Sequence, residues 1–289
     1  LRDATFTVPQ GSVFGLVGPN GAGKTTTLKI LMGLIKASGG TASINGTSVP
    51  DVKSRKNMGF LPETPHFYDH LKPQEFLGFV GQLYGMTSAQ CTKRSDELLE
   101  RVGLSEAKKK PIRKFSKGMM QRVGIAQALM HDPDLVILDE PQSGLDPIGR
   151  KEVKDLIIEQ KERGKTVFFS SHILADVEDV CDEIAVMIRG RVIDCGRVDE
   201  LLSPKLLETE LEVSGAPPAV LDEITAEAHR TVKTKDSLAM WFTGDHDVAP
   251  YIRQVVEAGG KVIRLVPHRE HLEDLFVREA TREPSKENE

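Results

Sequence analysis

Gly18-Pro19-Asn20-Gly21-Ala22-Gly23-Lys24-Thr25-Thr26 is the stretch on which the reading of this chain turns. A glycine, four residues and then Gly-Lys-Thr make the complete pattern of a phosphate-binding loop. Glycines admit backbone conformations that a side chain forbids, so successive N–H groups can curl around a chain of phosphates. In such a loop Lys24 places its ammonium between the β- and γ-phosphates, and Thr25 offers its hydroxyl to Mg²⁺. The flanks agree. Residues 13–17, Val-Phe-Gly-Leu-Val, predict a short buried strand, and residues 26–32 predict a helix whose N-terminus adds its dipole to the anion site. The embedded Gly21-Ala22-Gly23 is not a dinucleotide fingerprint, because Thr26 stands where that pattern needs its last small residue.

Outward from the loop, short apolar runs alternate with longer helical patterns through the first two-thirds of the chain. That alternation predicts an α/β core with mostly parallel strands at 13–17, 58–61, 135–139, 166–170 and 184–188. Arg189-Gly190 then marks a turn into a strand over 191–195. A helix-rich stretch at about 73–130 separates the second strand from the third and reads as an all-helical subdomain. Beyond residue 203 the pattern changes. Residues 207–213 alternate as a half-buried strand does, followed by a helix over 219–228, strands over 230–235 and 238–243, a helix over 248–258 and a strand over 262–266. The order β-α-β-β-α-β predicts a small α+β, ferredoxin-like domain over 204–280. Its last helix carries Leu272, Leu275 and Phe276 on one face, and a polar tail, 281–289, is expected to be disordered.

Bulk properties exclude several classes. The net charge of −5 and pI near 6 give no global reason to bind nucleic acid. Cys91, Cys181 and Cys195 are scattered without metal-ligand spacing, and read as reduced thiols of a cytosolic protein. No apolar run approaches the length that crosses a bilayer, and no signal peptide is evident. The chain opens at Leu1, inside what reads as a domain, so further sequence is expected upstream.

A second element joins the loop. Leu135-Val136-Ile137-Leu138 predicts a buried strand that delivers Asp139 and Glu140 at its C-terminal end, where ligands bind in open α/β sheets. Asp139 would hold Mg²⁺, and Glu140 would sit beside the γ-phosphate to polarise an attacking water. Adjacent acids after an apolar run also mark ordinary strand ends, so the pair needs company before it carries a function.

Company comes from Phe115-Ser116-Lys117-Gly118-Met119-Met120-Gln121-Arg122. This segment resembles the signature motif of the ABC (ATP-binding-cassette) family, usually Leu-Ser-Gly-Gly-Gln; Ser116 and Gly118 match, while Phe115, Lys117 and Met119 depart. The resemblance implies that Ser116 and Gly118 open a helix and grip the γ-phosphate of ATP held by another protomer. A serine cap, a glycine and a helix N-terminus suit that task. Ser143-Gly144-Leu145-Asp146 is similar to the family's D-loop, which crosses the dimer interface. His172, after Ser170-Ser171, is similar to the switch histidine that contacts γ-phosphate and helps hold the attacking water. Gly59-Phe60-Leu61-Pro62-Glu63 falls at the Q-loop, with Glu63 where glutamine usually contacts Mg²⁺ and couples to the permease.

The resemblance covers about 1–203. It implies a P-loop NTPase of the ABC type with a helical subdomain, and an ATPase using ATP and Mg²⁺ in a homodimer, or in a pseudo-dimer with a related ATPase. In its closest subfamily the chain would be the stand-alone ATPase subunit of an exporter, peripheral on the cytoplasmic face of the cell membrane through a transmembrane permease. The segment 65–84, with Phe67, Tyr68, Phe76 and Phe79, would meet that permease. Residues 1–10 supply no obvious aromatic to stack on adenine. The rival is a soluble ABC ATPase acting on nucleic acid or ribosomes. Only the basic run at 108–114 favours it, and charge runs are usually solvated faces. For the C-terminal domain, dimer support or regulation is the expectation, with small-molecule sensing as the alternative.

Overall fold

In the computed structural model, which describes residues 1–201, 206–244 and 246–269, the chain divides into two compact units, Leu1–Leu201 and Leu202–Glu289. The first is built on a six-stranded sheet. In chain order its elements begin β1 (Val13–Val17), α1 (Lys24–Leu31), the small hairpin β2 (Ser43–Ile44) and β3 (Thr47–Ser48), and β4 (Met58–Leu61). Three helices follow: α2 (Pro73–Leu83), α3 (Ser88–Arg101) and α4 (Lys117–Ala128). Then come β5 (Leu135–Asp139), α5 (Pro147–Glu162), β6 (Thr166–Ser171), α6 (Leu174–Glu178), β7 (Glu183–Ile188), β8 (Arg191–Arg197) and α7 (Val198–Leu201).

The sheet order is β4-β5-β6-β1-β7-β8, parallel except for β8, which runs antiparallel at the edge. Every residue of β1 and β6 is buried, which is why these strands read as unbroken apolar runs rather than alternating ones. Phe14 and Phe168 meet edge-on at 5.6 Å inside the sheet's core, and Phe6 stacks on Phe14 at 5.6 Å. Phe14 and Phe168 each contribute about 2–3 kcal/mol by leaving water. Phe6 is thereby engaged in packing against Phe14 and Phe168.

The helical subdomain is held by its caps and by close packing on β4. Thr87 and Gln90 exchange N–H and side-chain bonds in a capping box that starts α3, and Ser116 Oγ accepts from Met119 N–H at 3.2 Å to start α4. Against β4, a Cβ on Gly59 would lie 2.0 Å from the carbonyl oxygen of Ala128, so the glycine lets the end of α4 rest on the strand.

The second unit contains β9 (Leu206–Ser214), α8 (Pro218–Glu227), β10 (Arg230–Lys233), β11 (Leu238–Thr243), α9 (Ala249–Glu257) and β12 (Lys261–Arg269). All its strands pair antiparallel in the order β10-β11-β9-β12, the ferredoxin-like arrangement expected from the element order. Its core is Leu211, Val213, Ile224, Met240, Phe242 and Val255. On the opposite face of β9, Glu210 is bonded by His268 at 2.9 Å, while on β10 and β11 Arg230 lies over the Trp241 ring at 4.0 Å. The segment with Leu272, Leu275 and Phe276, and the tail 281–289, lie outside the described residues. Cys91 is buried and Cys195 exposed, and burial pushes the Cys181 thiol well above its ordinary range.

Candidate nucleotide-binding and catalytic site

Three neighbouring parallel strands end on the same edge of the sheet, and their registers put the candidate residues side by side. Asp139 pairs with Ser170, and Ser171 with Val17, so the turns after β5, β6 and β1 open together. The turn after β1 is the loop Gly18–Thr26. Its tip, Pro19, Asn20 and Gly21, is exposed, while Ala22 and Lys24 are buried. Gly23 has φ 112°, a conformation that no residue with a side chain adopts easily, and it delivers the chain into α1. Thr27 N–H donates to Gly23 C=O at 2.9 Å, and the N–H groups of Lys24, Thr25 and Thr26 ahead of it have no partner among the described residues and can meet an anion. Gly18 is needed for space: a Cβ there would sit 2.1 Å from the Met187 carbonyl oxygen.

Beneath the loop lies a polar cluster in which Lys24, Asp139 and Glu140 are buried. Lys24 Nζ donates to the carbonyls of Gly18 at 2.7 Å and Pro19 at 3.3 Å, and pairs with Glu140 Oε1 at 3.2 Å. The other Glu140 oxygen is 2.7 Å from His172 Nδ1. Thr25 Oγ1 donates to Asp139 Oδ1 at 3.1 Å. The hydroxyl and carboxylate expected at Mg²⁺ thus already share one spot, a hard oxygen pair that suits this ion. ATP and Mg²⁺ fit these residues: free N–H groups and an ammonium for phosphate, two oxygens for the cation.

The third oxygen group expected at the cation, Glu63, follows β4, the neighbour of β5, and therefore lies on the same edge. It is exposed and makes no hydrogen bond or ion pair among the described residues, so the structure does not join it to Asp139 or Thr25. Ser116 and Gly118 are not joined to the loop either. Instead the start of α4 rests on the D-loop, where a Cβ on Gly118 would meet Leu145 at 3.3 Å and Lys117 Nζ donates to Ser143 Oγ at 3.3 Å. Lys117, which stands where the family usually has glycine, lies along Gly144.

Some groups that hold this cluster escaped the sequence reading. Ser170 Oγ donates to Asp139 Oδ1 at 2.7 Å and accepts from the Glu140 N–H at 2.9 Å. Gln142, with its amide turned to donate, reaches both oxygens of buried Asp176 at 2.6 and 3.0 Å, and Lys154 pairs with the same carboxylate at 3.2 Å. Gln121 on α4 is 1% exposed and donates to the carbonyls of Glu140 and Pro141. The available signal was polar character where apolar periodicity demands burial, as at Gln121 in the stripe with Gly124, Ile125 and Ala128.

Comparisons with known proteins point to one family. The family model described as "ABC transporter" matches residues 1–143. An uncharacterized ABC transporter ATP-binding protein of Synechocystis sp. is 42% identical over 281 residues, covering 96% of this chain and 78% of that protein. A linearmycin resistance ATP-binding protein of Bacillus subtilis is 37% identical, covering 79% of this chain and 75% of its own length. A solved structure described as the ATP-binding subunit of an ABC transporter superposes with a TM-score of 0.65 at 37% identity, covering 70% of this chain and 85% of that one. With its phosphate loop, paired acids and histidine assembled on one sheet edge, the chain belongs to the family of ABC transporter ATP-binding proteins and is an ATPase.

Proposed function

We propose that two copies of this chain, or this chain and a related ATPase, close around ATP, and that hydrolysis parts them to drive export through a separate membrane permease. The observation that carries the two-copy reading is the separation of the site's halves. Lys24, Thr25, Asp139, Glu140 and His172 are gathered on one sheet edge, whereas the capped start of α4 at Ser116 and Gly118 has no bond to them among the described residues. A second copy supplies that helix N-terminus to the first copy's phosphate.

Within each half the residues divide the work. The loop's N–H groups and Lys24 bind the phosphates and neutralise charge that builds in the transition state. Thr25 and Asp139 would hold Mg²⁺, which supplies further charge neutralisation when bound, with Glu63 a candidate for its outer water. Glu140 takes the proton of the attacking water on a carboxylate oxygen, and His172, 2.7 Å from Oε2, keeps that carboxylate aimed. Hydrolysis removes the shared γ-phosphate, and the two copies lose the anion that joined them.

Two observations support a permease partner. Tyr68, Phe79 and Leu83 are exposed on and before α2, an apolar patch that a membrane protein's cytoplasmic helix would cover. Phe76 is instead buried, edge-on to Phe67 at 5.1 Å. No helix among the described residues is long and apolar enough to cross a membrane. A relative named for drug resistance favours export. In the basic run, Lys108 is paired with Asp96 at 2.9 Å, which leaves the nucleic-acid reading with less free charge. The second unit is proposed to support the dimer or regulate it.

The test is light scattering of Glu140→Gln at micromolar concentration with ATP and Mg²⁺. The expected outcome is a stable dimer that forms with ATP and not with ADP. A monomer under both conditions overturns the two-copy reading. Capture from membranes with the full chain should recover a multi-span permease, and recovery of ribosomes would favour the rival.

A further inference from the structure

Glu140 sits in a backbone conformation that its residue type resists. Its φ is 49°, in the left-handed region where a Cβ crowds the neighbouring carbonyl. Such a conformation persists only where the surroundings over-determine it. On the N–H side the restraint is Ser170 Oγ at 2.9 Å, from the adjacent strand β6. On the carbonyl side the Ser143 N–H donates to Glu140 C=O at 3.0 Å within the turn, and a second restraint comes from a different part of the fold. Gln121 Nε2 donates to the Glu140 carbonyl at 3.3 Å and to the Pro141 carbonyl at 3.1 Å, and the residue is 1% exposed.

The chemistry of that side chain is specific to the task. One primary amide nitrogen carries two N–H donors, so it can serve two successive carbonyls at once. A carboxylate offers no donor, and an apolar side chain of equal volume would leave the Glu140 carbonyl with only the Ser143 N–H, at 3.0 Å, and take from the buried Pro141 carbonyl its side-chain donor. Gln121 also lies on α4, five positions after Ser116, the cap of that helix. The amide is therefore a buried, direct tie between the signature helix and the backbone of Glu140.

We infer that Gln121 is a positioning residue for hydrolysis: through two hydrogen bonds it holds the left-handed backbone of Glu140, so that the orientation of α4 sets the aim of the carboxylate. This rests on the reading of Glu140 as the base. When the N-terminus of α4 is seated on a neighbour's phosphate, the same rigid helix carries Gln121, and hence the Glu140–Pro141 carbonyls, into register.

Single-turnover hydrolysis of ATP with Mg²⁺ by the full chain tests this. Gln121→Met should slow hydrolysis about 10- to 100-fold, the scale of a small misplacement of a reacting group, while ATP affinity stays within about two-fold. Gln121→Glu, equal in shape but without a donor when ionised, should lose a comparable factor, which separates hydrogen bonding from packing. In a Glu140→Gln background, Gln121→Met should cost nothing further, because the amide acts only through that residue. If Gln121→Met does not fold, Gln121→Asn keeps the amide but withdraws it by one methylene and carries the same comparison. An unchanged rate overturns the inference. So does a loss matched by weaker ATP binding, or one that multiplies in the Glu140→Gln background. Turnover at the full rate by Glu140→Gln alone would instead overturn the assignment of the base, a distinct result that takes this inference with it.

Discussion

At the scale of single residues, Glu140 is held between Lys24 and His172, with the side chains of Glu140 and Lys24 only 11% and 6% exposed. A buried carboxylate that loses its cation keeps its desolvation cost without compensation. Lys24→Met is therefore expected to abolish ATP hydrolysis and also to destabilise the first unit by about 3 kcal/mol, read from urea unfolding. Loss of activity with unchanged stability would show that Lys24 matters only to phosphate. Gly18→Ala tests the loop's steric demand. The Cβ built there lies 2.1 Å from the Met187 carbonyl, and overpacking of that kind costs about 1–3 kcal/mol. His131 offers a pH test. Burial, the largest cause, pulls its imidazole below the ordinary histidine range, against smaller pulls from the Met58 backbone and Asp132. The unfolded chain therefore takes up this proton first, and the stability His131 contributes is present above about pH 6.5 and lost as pH falls through its folded value. His131→Phe, which preserves the stack on Tyr84 at 3.6 Å, should flatten the dependence of melting temperature on pH between about 7 and 5.

Among the elements, the helical subdomain depends on its caps and on how closely α4 approaches β4. Thr87 accepts from Gln90 N–H at 3.3 Å, and its own N–H is accepted by Gln90 Oε1 at 2.8 Å. Thr87→Ala should cost about 1 kcal/mol, visible as a lower urea midpoint with unchanged slope. Gly59→Ala acts at longer reach. The added methyl would have to displace the Ala128 carbonyl, so α4 must shift on β4. Since Gln121 rides on α4, this variant should lose more hydrolytic rate than its stability change accounts for. Equal rates in folded Gly59→Ala and the parent chain would contradict that link.

For the molecule as a whole, the central expectation is that one active site draws residues from two chains. Mixing is the direct check. Lys24→Met lacks a working loop but keeps Ser116, whereas Ser116→Arg keeps the loop and blocks the start of α4. Each alone should be inactive, and ATP hydrolysis should return when the two are combined, since a mixed pair contains one intact composite site. Failure of the mixture to regain activity, with both variants folded, would favour a site complete within one chain.

Much of this protein was legible before folding is considered. The phosphate loop, the strand ending in Asp139-Glu140 and the histidine after Ser171 are local patterns, because each needs only neighbouring residues to create its turn or cap. The β-α-β-β-α-β order of the second unit is likewise written in alternation and turn chemistry, and its strands lie in the sheet order β10-β11-β9-β12. Helix starts were less certain: α1 begins at Lys24 rather than Thr26, since the loop's left-handed Gly23 ends the turn earlier than periodicity suggests. What the linear pattern could not supply was any pairing between distant elements. Ser170 beside Asp139, Gln142 on Asp176, Gln121 under Glu140 and the isolation of Glu63 all follow from strand order and helix placement. Hydrogen bonds across elements depend on ångström-scale register, which no local propensity encodes. The sequence alone determined which groups could handle a phosphate chain; the tertiary structure decided which of them meet, because parallel strands bring their loops to a common edge only after the sheet has formed.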